Sequence, residues 1–96
     1  MRPRRNCKIG YCPKFSYFTP AGIAECDLKI IELSPEEAES LRLRNIKGLD
    51  QTESAKKMDV SQSTYQRILT SANRKVTEAL MGGKAIRIRQ QITGNN

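Results

Sequence analysis

The chain of 96 residues has no histidine. It therefore has no imidazole to act as a general base near neutral pH, and it lacks the commonest metal ligand. No stretch approaches the roughly 20 apolar residues that cross a bilayer, and no apolar run of the kind that marks a secretory signal opens the chain. There is no glycine-rich phosphate loop and no nucleophile motif. These absences predict a cytoplasmic protein that is not an enzyme, with no cofactor, no small-molecule substrate and no membrane partner. The three cysteines, Cys7, Cys12 and Cys26, are an odd number. With no export signal they fit reduced, partly buried thiols better than a disulfide framework. Zinc would need a fourth ligand, such as Asp27 or a group from a second subunit, and the spacing of the three thiols is only loosely zinc-like. No metal is expected. Aromatic residues are few, and Tyr11, Phe15, Tyr17 and Phe18 lie together near the start, interleaved with basic residues. That pattern suits an RNA-binding sheet, but also the simpler role of covering a helix.

What is abundant is positive charge: 17 basic and 10 acidic side chains give a net +7. Residues 1–14 hold Arg2, Arg4, Arg5, Lys8 and Lys14 and no acid, so they read as a basic arm. Residues 15–49 hold more acid than base, and residues 50–96 are again basic. Such a field attracts a polyanion. The arm, through Arg2, Arg4 and Arg5, is expected to add DNA affinity rather than sequence reading.

The length suits one domain, here residues 15–89, followed by a polar tail at 90–96. Phe15 to Phe18 reads as a short strand and Leu28 to Leu33 as a stronger one. Ser34, Pro35 and Glu37 form a capping box for a first helix over about 35–46. Its Ala38, Leu41, Leu43 and Ile46 spread too widely for a single contact. Glu36, Glu37 and Glu39 suit the positive end of its dipole. Gly48 ends it. Asp50 with Glu53 caps a second helix over 51–58, Asp59 and Val60 turn, and Ser61 caps a third over 62–81 that Gly82 and Gly83 close. Lys84 to Arg89 alternates as an edge strand pairing with residues 28–33, an edge also available to a homodimer. The fold class is mostly α (small α+β): a three-helix domain with a helix-turn-helix, of winged-helix-like type, and a small sheet from the N- and C-terminal strands.

Two short helices joined by a tight turn are the unit that places its second helix in the major groove. In the third helix Tyr65, Ile68, Leu69, Ala72, Val76, Ala79 and Leu80 form one apolar arc, and Ser, Thr, Gln and Arg fill the other side. A solvated bundle helix also has a polar outer side. Here, however, Ala55 allows close helix contact, Val60, Tyr65 and Ile68 fall at core positions, and the outer side of the third helix carries no acid before Glu78. Gln62, Ser63, Gln66 and Arg67 are the candidates for base contacts. Thr52, Ser61, Thr64, Thr70, Arg74 and Lys75 are the candidates for phosphates.

The segment from Glu32 to Ile88, with the RPRR start, the F-x-P-A-G stretch at Phe18 to Gly22 and the GKAIRI end, resembles the domain-of-unknown-function family 134, also termed uncharacterised protein family 0251. The resemblance covers nearly the whole chain. It implies small predicted DNA-binding proteins whose helices are similar to region four of sigma factors, the part that reads a promoter element. The chain departs from the pattern at Asp59, where such turns usually carry glycine, and at Ser63, where relatives often carry proline. The expected function is sequence-specific binding of double-stranded DNA in transcriptional regulation. The alternative is a module docking on RNA polymerase or a sigma factor through Glu32, Glu36, Glu37 and Glu39, or an RNA binder.

Overall fold

The three N-caps foreseen from Ser34, Asp50 and Ser61 all form, and they fix where each helix begins. In a computed structural model, which describes residues 16–89, β1 (Tyr17–Phe18) is followed by a short 3₁₀ turn at Glu25–Asp27 and by β2 (Ile30–Leu33). Then come α1 (Pro35–Leu41), α2 (Gln51–Met58), α3 (Gln62–Gly82) and β3 (Ala85–Ile88). The molecule is mostly α with a small three-stranded sheet. The basic arm at 1–14, with Arg2, Arg4 and Arg5, and the tail at 90–96 lie outside the described residues.

At α1 the Glu37 amide donates to Ser34 Oγ at 3.1 Å, and Glu37 Oε1 accepts the Ser34 amide at 2.9 Å. At α2 the Glu53 amide donates to Asp50 Oδ1 at 2.8 Å, and at α3 the Thr64 amide donates to Ser61 Oγ at 3.1 Å. Each bond satisfies an amide that has no partner inside its own helix. Asp59 closes α2 in the left-handed conformation, at φ 60 and ψ 46. Its amide donates to Lys56 O, and the Val60 amide donates to Ala55 O at 3.0 Å. This satisfies the last carbonyls of α2 and swings the chain into α3.

The core lies where α1, α2 and α3 meet: Leu43, Ala55, Met58, Tyr65, Ile68 and Leu69 are buried, with Leu41, Leu49 and Val60 against them. The Tyr65 hydroxyl, fully buried, donates to the Ser40 carbonyl at 3.0 Å.

Three expectations are corrected. The first helix is α-helical only to Leu41 and continues as a π-helical turn over Arg42–Ile46, with the Lys47 amide donating to the Arg42 carbonyl five residues back. The wider turn accommodates the spread noted in the sequence: Leu43 reaches the core, while Ile46 is 78 % exposed. Leu80, counted in the apolar arc of α3, is exposed. It stands at the margin of that arc at 100° per residue, on the side of the last turn that no element covers.

The third correction concerns β3, which is the middle strand and not an edge. It runs parallel to β2, with Ile31 opposite Ile86 and Leu33 opposite Ile88, and antiparallel to β1, with Phe18 opposite Ile86. The alternation of Arg87 and Arg89 with Ile86 and Ile88 reflects a sheet covered on one face, which central and edge strands of such a sheet share. With both sides of β3 paired, that strand offers no edge to a second copy.

Candidate nucleic-acid interface

α2, the Asp59 turn and α3 together hold the reading surface. Gln62, Ser63, Gln66 and Arg67 are all exposed on the first two turns of α3. They project outward because Tyr65, Ile68, Leu69 and Ala72 turn the opposite side into the core. Thr70 and Arg74 continue the exposed row, and Asn73 and Thr77, not singled out from the sequence, lie in it as well. The Gln66 side-chain amide donates to Thr70 Oγ1 at 3.2 Å, so this side chain lies along the helix and must swing away to meet a base.

The start of α3 is a hydroxyl cluster. Ser61 Oγ donates to Thr64 Oγ1 at 3.0 Å and lies 3.3 Å from Ser63 Oγ. Thr64 is only partly exposed, whereas Ser61 and Ser63 are open. Thr52 is exposed on the first turn of α2, and the Gln51 side-chain amide donates to the Gln62 carbonyl at 3.5 Å, tying the two helices at this end. Lys56 and Lys57 are exposed elsewhere on α2, Lys57 beside Lys47 and Arg42.

Lys75 does not join this surface. Its ammonium donates to Glu37 Oε1 at 2.9 Å and to the Glu32 carbonyl at 3.0 Å, locking α3 to α1 and β2. Its place on α3 is at the margin of the core arc, and a buried carboxylate there draws it inward. Ser71 donates to the other oxygen of Glu37. Burial pushes the Glu37 carboxyl up, but the bonds from Ser71, from the Ser34 amide and from Lys75, with the Lys75 charge, outweigh it and hold the carboxyl below its ordinary value. So Glu37 is more than a dipole partner.

Of the four glutamates foreseen as a polymerase contact, Glu32 is exposed and Glu36 partly so, while the other two turn inward. Glu37 and Glu39 are buried, Glu39 accepts two bonds from Arg42 at 2.9 and 2.8 Å, and Glu32 faces Arg87 and Arg89 at 3.8 Å. Of the three cysteines, Cys26 is exposed rather than partly buried, because the 3₁₀ turn carries it at the surface; Cys7 and Cys12 lie outside the described residues. Of the aromatic cluster, Tyr11 and Phe15 also lie outside them. Tyr17 is exposed beneath the Arg87 guanidinium, 5.7 Å from the ring centre, and Phe18 covers only the edge of α1. Among the described residues no helix is long and apolar enough to cross a membrane.

The family described as "Protein of unknown function DUF134" matches residues 1–92. The chain belongs to the DUF134 family. Relatives of this DUF134 chain include the UPF0251 protein of Halothermothrix orenii, 48% identical over 86 residues, covering 90% of the chain and 64% of the relative. A UPF0251 protein of Dehalococcoides mccartyi is 48% identical over 87 residues, 91% of the chain and 74% of its own length. One of Pelotomaculum thermopropionicum is 43% identical over 95 residues, 99% of the chain and 69% of its own length. The DUF134 chain thus spans just under two thirds of the Halothermothrix relative. No solved structure matches it. In this DUF134 chain the turn position usually given to glycine is filled by Asp59, whose left-handed geometry is that of a glycine turn.

Proposed function

We propose that this protein binds double-stranded DNA sequence-specifically, with the first turns of α3 in the major groove, and acts in transcriptional regulation. The observation that carries the reading is the outer side of α3. From Gln62 to Thr77 it is exposed, polar and free of carboxylates, on a helix held end-on behind a tight turn by α2. Gln66 pairs with adenine and Arg67 with guanine in such a groove, while Ser61, Thr52, Thr70 and Arg74 meet phosphates. The positive field supplies capture and the helix supplies reading.

Fluorescence anisotropy of a labelled random-sequence duplex against salt tests the capture. Micromolar or tighter binding that weakens steeply with salt is expected, and absence of binding at low salt refutes the proposal. On a selected site, Arg67→Ala is expected to cost about 1–3 kcal/mol and to relax one base position. An equal loss on every sequence would reassign Arg67 to a phosphate.

A further inference from the structure

Beside the π-helical turn an apolar groove of about 410 Å³ lies open, bordered on α3 by Val76 and by Asn73 of the outer row. Phe18, Leu33, Leu41, Ile46, Val76 and Ile88 line it. Two of these are unusually bare for their size: Phe18 is 52 % and Ile46 78 % exposed. On the other flank of the same turn is a smaller recess of about 230 Å³, walled by Leu43 and Leu49 and ringed by Arg42, Lys47 and Lys57. Arg42 lines both. No carboxylate lines either. Arg42 is largely balanced by Glu39, so the field of the recess comes from Lys47 and Lys57.

We propose that this surface docks an acidic amphipathic segment of a partner protein, its apolar side chains in the groove and its carboxylates against Lys47 and Lys57. Charge selects this occupant. A nucleic acid offers phosphates to the lysines but nothing to the groove. A second copy of this chain brings a net +7, so like charge opposes it. A segment with alternating carboxylates and aliphatic anchors satisfies both halves at once, as helices laid in grooves do. The π turn makes the site: its extra width pushes Ile46 outward beside the groove, and π turns recur at functional places in helices. The surface meets the DNA-reading side at its margin. Val76 is nine residues from Arg67, half a revolution around α3 at 100° per residue, while Asn73 borders both surfaces.

The test uses the purified full chain and a short designed peptide, an amphipathic helix with leucine along one side and glutamate elsewhere, read by NMR amide shifts and by anisotropy. Two control peptides carry lysine for glutamate or serine for leucine. Saturable binding of the acidic peptide is expected, with shifts confined to residues around Ile46, Lys47, Lys57 and Val76, and neither control bound. Ile46→Ser and the pair Lys47→Glu with Lys57→Glu should each weaken it by about fivefold to tenfold, the loss that follows removal of a central contact. All three side chains are exposed, so the fold is retained. Ile46→Ser should leave duplex DNA binding unchanged. The proposal is overturned if the acidic peptide does not bind, if it binds the variants as well as the parent, or if its shifts fall on Gln62 to Arg67. The last result would mark a peptide merely mimicking DNA. Loss of DNA binding by the parent chain would refute the DNA reading and leave this surface untouched.

Discussion

Two buried side chains show how differently polar groups behave in this core. Ser54, on α2, is fully buried, and its hydroxyl has no hydrogen-bond partner among the described residues. Such a group keeps its desolvation cost, and alanine is the better helix former, so Ser54→Ala should raise stability by about 1 kcal/mol in urea unfolding. A clear loss instead would show that the hydroxyl has found a partner, such as an internal water. Glu37 is the opposite case, a carboxylate met by three donors. Its carboxyl is held below the value of about 4.5 it has in the unfolded chain. The stabilisation is therefore complete above that value and disappears as pH falls through the lower, folded value. Urea midpoints should drop as pH falls from about 5 towards 3, and Glu37→Gln should start lower and show a flatter acid limb. Parallel acid limbs in the two proteins would mean that another group carries the dependence.

Between elements, the turn and the helix junction are the sensitive points. Asp59→Gly should be tolerated, while Asp59→Val should cost about 1–2 kcal/mol, since a β-branched residue resists the left-handed region. Equal thermal stability of the two variants would contradict the strain argument. Tyr65→Phe removes the only donor seen on the Ser40 carbonyl from outside its own helix and should cost about 1–3 kcal/mol, measured by denaturant unfolding. The helix starts at 35, 51 and 62 were legible in the sequence because a cap is decided within four residues. The outward row Gln62, Ser63, Gln66 and Arg67 was legible because helical period alone places it opposite Tyr65 and Ile68. What escaped is non-local. The end of α1 is held by the Tyr65 hydroxyl at Ser40, Lys75 is drawn to Glu37 and Glu32 from far along the chain, and the rank of β3 within the sheet depends on two distant strands. No short window of sequence contains those partners.

Across the whole molecule the basic excess and the reading row should be separable. Arg74→Ala, on an exposed side chain late in α3, should weaken binding evenly over all duplex sequences and lower the slope of affinity against salt by about 1, in contrast to Arg67→Ala. A change in sequence preference would place Arg74 on a base. The order of the sheet, β1-β3-β2, bears on how the protein is made. β1 and β2 leave the ribosome before the helices, and in the folded sheet neither pairs with the other; both wait for β3, which follows all three helices. The nascent chain can gather its three helices around Met58 and Tyr65 while the two early strands still expose their backbone amides and carbonyls. Emergence of β3 then closes both ladders, across long loops that span all three helices.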